Sequence, residues 1–128
     1  MAKIRFFLVA LAVALTLGAA SAEAWNSNYF QSPTGNIRCR YFQNSSGRQL
    51  ACITLNNGRL VGVTPTGQSF ETFDSRGYLF PRGPTLNYGE FWRVRGLYRC
   101  DARRKGMACR SLRSGHGFLI NKTGYRLF

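Results

Sequence analysis

The amino-acid sequence predicts an all-β fold, a small antiparallel sandwich or open barrel of roughly six to eight short strands. Three observations carry that expectation. Apolar residues recur with a two-residue period in several short stretches, the mark of half-buried strands. Clusters of Gly, Asn, Ser and Pro separate those stretches as turns do. Beyond residue 24 no segment shows a long apolar period of 3.6, so no helix is expected there.

The chain opens on a secretory signal, expected to be helical. Lys3 and Arg5 supply a positive start, Phe6 to Ala20 form an apolar run of fifteen residues, and Ala22-Glu23-Ala24 is a small-x-small cleavage pattern. The run is shorter than the roughly 20 residues that span a bilayer, and Thr16 and Gly18 interrupt it. An uncleaved anchor is the alternative. No cysteine precedes Cys39, which excludes a lipid-modified cysteine at the cleavage site. Cleavage after Ala24 leaves residues 25–128, 104 in all, enough for one domain and not two. The expected organisation is a signal peptide over 1–24 and a single disulfide-stapled β domain over 25–128. Its expected location is secreted or periplasmic, with no transmembrane anchor in the mature chain.

The first hairpin starts at Ile37-Arg38-Cys39-Arg40-Tyr41, which alternates as a strand does. Asn44-Ser45-Ser46-Gly47 is turn chemistry, and Gln49 to Leu55 returns. Setting Cys39 opposite Cys52 also sets Tyr41 opposite Leu50 and Ile37 opposite Thr54. A slip of one residue would break the apolar face and the cysteine pairing together.

A second hairpin repeats the device. Trp92, Val94, Tyr98 and Cys100 are expected on one face of a strand, with Arg93, Arg95 and Arg99 on the other. Arg103-Arg104-Lys105-Gly106 forms the tip, and Met107 to Leu112 returns. Cys100 opposite Cys109 places Tyr98 across from Ser111 and Arg99 across from Arg110. Opposed strand residues lie about 4.5 to 5.5 Å apart, within disulfide reach. Four cysteines allow three connectivities, and only Cys39–Cys52 with Cys100–Cys109 agrees with both hairpins. An even cysteine number in an exported chain favours bridges. The wide gaps, with His116 the one histidine, do not suit a zinc site, so no metal is expected.

Elsewhere, Asn57-Gly58 signals a turn leading into a short strand over Leu60 to Val63. Thr64 to Gly89 holds three of the four prolines and reads as irregular, with Phe70, Phe73 and Phe80 as expected anchors. Phe118-Leu119-Ile120 and Tyr125-Arg126-Leu127-Phe128 read as two last strands around Asn121-Lys122-Thr123-Gly124.

Several of these residues form longer motifs. Phe30-Gln31-Ser32-Pro33-Thr34-Gly35-Asn36-Ile37-Arg38-Cys39 resembles the Phe-x-Ser-Pro-Ser/Thr-Gly-Asn-Ile-x-Cys opening of a family of small secreted bacterial domains of unknown function. Leu86-Asn87-Tyr88-Gly89 is similar to that family's Leu-x-Tyr-Gly. Gly115-His116-Gly117-Phe118 and the closing Tyr125-Arg126-Leu127-Phe128 are similar to its Gly-His-Gly-Phe and Tyr-x-Leu-Phe. The match spans nearly the whole mature chain and is poor over Thr54 to Pro84. The resemblance implies secretion and a shared small fold, and it brings no activity, catalytic residue or partner.

The charge balance narrows the function classes. Lys and Arg number 18 against 5 Asp and Glu, a net charge of +13. Without Lys3, Arg5 and Glu23 the mature part keeps 16 basic and 4 acidic residues, +12, and fourteen of those cations are arginine. Such a chain favours anionic partners such as nucleic acid, anionic lipid or acidic wall polymer. The expected binding residues are Arg93, Arg95, Arg99 and Arg110 on the second hairpin, Arg103, Arg104 and Lys105 at its tip, and Arg38 and Arg40 on the first. A solvated arginine face without a ligand is the plainer reading. The favoured function is a non-catalytic binding or interaction module with a basic surface. The alternative is a small basic hydrolase, such as a ribonuclease, using His116 with Glu71, Glu90 or Asp101; a loop histidine bonded to backbone is its plainer counterpart. A protein inhibitor or structural envelope component is the third class. No phosphate-cradling glycine loop or serine-nucleophile motif is present, and no cofactor is expected.

Overall fold

In the computed structural model, residues 27–45, 47–73 and 80–128 are described. The signal segment, Trp25, Ser46 and Asp74 lie outside them. Strict alternation around a cysteine in each half of the chain yields two antiparallel meanders. The first runs β1 (Tyr29–Gln31), β2 (Ile37–Asn44), β3 (Gly47–Thr54), β4 (Arg59–Val63) and β5 (Phe70–Phe73), paired in that order. The second runs β6 (Phe91–Val94), β7 (Tyr98–Arg103), β8 (Gly106–Ser111), β9 (Gly117–Ile120) and β10 (Tyr125–Leu127), again paired in sequence order. The fold is all-β, as expected, with ten described strands in two five-stranded sheets.

The first hairpin has the anticipated register: Ile37 faces Thr54, Cys39 faces Cys52 and Tyr41 faces Leu50. In the second, Tyr98 faces Ser111, Arg99 faces Arg110 and Cys100 faces Cys109. Both disulfides, Cys39–Cys52 and Cys100–Cys109, are formed, and no described cysteine is free.

The ten described strands exceed the six to eight expected, in part because one expected strand is folded in two. Residues 92–100 are two strands, β6 and β7, and not one. Arg95-Gly96-Leu97 turns the chain so that Trp92 faces Cys100 and Arg93 faces Arg99. Gly96 has φ +74°, a conformation only glycine adopts without strain. The Leu97 amide closes the turn on the Val94 carbonyl at 2.9 Å, and the Leu97 side chain is buried. Arg95 consequently sits in the turn, off the strand face.

The inner faces of the two sheets share one core. Phe30 stacks on Trp92 with ring centroids 4.7 Å apart, and Tyr41 packs against Trp92 and Tyr98. The Tyr98 hydroxyl reaches the carbonyls of Arg48 (3.0 Å) and Val63 (3.1 Å) across the sheets. Burial pushes its phenol well above the ordinary pKa, and nearby Tyr41 adds to the shift. The bridges meet in this core, with the sulfurs of Cys52 and Cys109 3.9 Å apart.

The outer faces differ. That of the first sheet carries a second apolar cluster of Ala51, Ile53 and Leu60 capped by Phe80. Of the three phenylalanines expected as anchors, only Phe80 is one. Phe73 is 66% exposed and Phe70 38%: both lie on the edge strand β5, on opposite faces, Phe70 against Gly62 and Phe73 beside Arg59. Leu86, fully buried beside β1, is the further anchor of that segment.

Gly117 on β9 lies so close to β8 that a Cβ there would collide with the Cys109 carbonyl and come within 2.8 Å of the Arg110 Cα. Gly117→Ala is therefore expected to lower stability by about 1–3 kcal/mol, read as a reduced midpoint in chemical denaturation.

Candidate functional site

The outer face of the second sheet is built by register. Arg93, Arg99 and Arg110 stand side by side across β6, β7 and β8. Neighbouring strands lie about 4.8 Å apart, so the row spans roughly 10 Å. Alternation adds Arg103 on β7 to the same face. Arg126 joins it because it faces Leu119, which faces Ala108, which faces Asp101. Asp101 is the one carboxylate these strands place there. It takes Arg99 in a bidentate grip, Nη2 at 2.9 Å and Nε at 3.1 Å, and these bonds hold the guanidinium above its ordinary pKa. Arg99 also lies 4.1 Å over the Phe91 ring. Arg93, Arg103, Arg110 and Arg126 are exposed.

The remaining expected cations fall elsewhere. Arg38 and Arg40 do share the outer face of the first hairpin, but that face is covered and both are half-buried. Arg38 donates to the Phe80 carbonyl at 3.2 Å, and Arg40 lies over the Tyr29 and Phe42 rings. Arg104 and Lys105 form the two-residue tip between β7 and β8.

That tip belongs to a cleft at one end of the sandwich. In paired meanders alternate turns share an end, and four of them gather here: Ser32–Asn36, Asn56, the β7–β8 tip and Asn121–Thr123. Together with Tyr88 they line a cavity of about 750 Å³. Among the described residues four cations line it, Arg103, Arg104, Lys105 and Lys122, and no carboxylate does. Arg104 lies 5.0 Å over the Tyr88 ring.

His116 occupies the β8–β9 turn, at the opposite end. Its Nδ1 lies 3.2 Å from the main-chain oxygen of Phe128, and its amide donates to Ser114 Oγ. The structure does not assemble it with the carboxylates considered for it. Asp101 is held by Arg99, Glu90 accepts from the Asn87 amide, and Glu71, half-buried on β5 opposite Val61, is not bonded to it. The Gly-His-Gly-Phe and Tyr-x-Leu-Phe motifs pack on each other, with Gly117 and Phe128 exchanging both backbone hydrogen bonds. The opening motif and Leu-x-Tyr-Gly instead meet at the cleft, through Ser32, Pro33, Thr34, Asn36 and Tyr88.

Sequence reasoning missed Arg126, Tyr88 and Lys122. The alternation of the last strand places Arg126 outward once its pairing is known. Tyr88 and Lys122 have no local signal, since only the gathering of turns brings them together. No family model, curated protein or solved structure matches the chain.

Proposed function

We propose that the mature chain is an exported, non-catalytic binding module that holds an anionic polymer on the outer face of its second sheet. The row Arg93–Arg99–Arg110 carries this reading. Like charges directly opposed on neighbouring strands are destabilising, and a bound polyanion relieves that repulsion. Guanidinium forks match phosphate and carboxylate oxygens in pairs, and an open sheet suits an extended polymer better than an enclosed small molecule. Export is supported by the disulfides, which are consistent with an extracellular or oxidising compartment, and by the signal-like first 24 residues. Among the described residues no helix is long and apolar enough to cross a membrane.

The test is retention on immobilised heparin or DNA as salt is raised. Binding through counterion release falls linearly in log–log form, and each arginine that meets a phosphate adds about one unit of slope. Arg110→Gln and Arg126→Gln together are expected to flatten the slope by about two units. Elution of the unaltered protein alongside a neutral control at low salt would overturn the reading.

A further inference from the structure

We infer that the cleft at the end of the sandwich is a separate site for a compact ligand bearing two or more phosphate groups. It shares Arg103 with the polymer-binding face and does not otherwise depend on it, because Arg104, Lys105, Lys122 and Tyr88 lie in the connections at the end of the sandwich and not on the sheet.

The lining divides by what each group is already doing. Its neutral amides are consumed in holding the turns. Asn121 accepts the amides of Thr123 and Gly124 and donates to the Lys105 carbonyl at 2.9 Å. Asn56 donates from its side chain to the Lys122 carbonyl at 3.3 Å, and its amide is taken by Asn36 Oδ1 at 3.2 Å. Each lysine is thus pinned at its own main chain by an asparagine, and the Asn56 bond ties one sheet to the other. Thr34 and Ser32 likewise accept the amides of Asn36 and Ile37. The lining cations are differently placed. Arg99 is paired with Asp101 on the sheet face, whereas among the described residues no carboxylate lines the cleft. The backbone beneath the two lysines is fixed by asparagine bonds before any ligand arrives, so the ordering that binding requires falls on the exposed cationic side chains.

Size and charge then select the ligand. The cavity of about 750 Å³ lies in the range of small-molecule sites. A hydroxyl-rich neutral sugar would find most of the amides and hydroxyls already engaged. A single carboxylate would answer one of four cations. Clustered phosphates answer several, arginine by paired donation and lysine as a point charge, with the Tyr88 ring beside them as a wall. The same chemistry is offered by a soluble sugar bisphosphate and by a phosphorylated lipid headgroup.

Titration calorimetry on the oxidised protein at physiological ionic strength tests the assignment, using inorganic tripolyphosphate, a hexose bisphosphate, and vesicles with and without cardiolipin, a lipid whose headgroup carries two phosphates. One-to-one binding of tripolyphosphate is expected. Lys122→Gln and Arg104→Gln are each expected to weaken it about tenfold, the loss of one charge-assisted hydrogen bond. Arg110→Gln on the sheet face should leave it within about twofold. Binding of the hexose bisphosphate assigns a soluble ligand, and binding of only the acidic vesicles, lost in the same cleft variants, assigns a headgroup. Absence of tripolyphosphate binding up to millimolar concentration overturns the inference, as does an equal loss in Arg110→Gln. The salt slope lost in the Arg110→Gln and Arg126→Gln protein reports on the sheet face, and tripolyphosphate binding lost in Lys122→Gln and Arg104→Gln reports on the cleft, so failure of one reading is distinguishable from failure of the other.

Discussion

Replacing all four cysteines by alanine is expected to abolish the cooperative unfolding transition of the two-sheet domain at ambient temperature. Each bridge closes a short loop, with 13 and 9 residues of separation, and contributes about 3 kcal/mol in the chain-entropy model. Typical domains have a net stability of about 5–15 kcal/mol, so losing both removes a large share of it. The bridges also belong to the packing. All four cysteines are buried in the core shared by the sheets, and the sulfurs of Cys39, Cys52 and Cys109 lie within 4.8 Å of one another. The two losses should therefore not add, with a coupling of about 0.5–3 kcal/mol in a double-bridge cycle. Variants lacking one bridge should remain folded with lowered midpoints. Circular dichroism during thermal or urea unfolding reads both effects. A four-alanine variant melting within a few degrees of the parent would show that the bridges contribute little.

Trp92→Ala is expected to cost about 3–5 kcal/mol. The side chain is 1% exposed on the inner face of β6, an edge strand hydrogen-bonded on one side only. It stacks on Phe30 and donates from Nε1 to the Ser27 carbonyl at 2.8 Å. On the opposite face of the same strand, Arg93 stands against Arg99, so the indole anchors a strand that charge repulsion loosens. Trp92→Phe keeps the ring contact and loses the donor, and should cost about 1–3 kcal/mol. Denaturant midpoints separate the two substitutions. A Trp92→Ala protein less than about 1 kcal/mol below the parent would contradict this account of the edge.

What the sequence made legible follows from the period of two. In the first hairpin two independent patterns, apolar alternation and cysteine position, demanded the same register, and the structure has it. The break at Arg95-Gly96-Leu97 was hidden because the pattern survives it. A three-residue turn leaves Trp92, Val94, Tyr98 and Cys100 all inward, whether the segment is straight or folded. The consequence for the site was large. With β6 and β7 merged, the number of turns in the second meander is wrong by one, and the irregular segment before it does not say at which end it begins, so the meeting of Lys122 with Asn56 could not be read from the pattern. Arg93 against Arg99 was hidden for the same reason, whereas Arg99 against Arg110 followed directly from the cysteines.

The pairing of neighbouring strands in chain order also shapes how the molecule is made. The first cysteine is bridged to the second and the third to the fourth, and each bridge lies inside a single hairpin. A polypeptide oxidised from its N-terminal end as it emerges would join Cys39 to Cys52 before Cys100 was available. Consecutive joining then yields the native set, and the slow reshuffling step that takes seconds to hours in other proteins is not required.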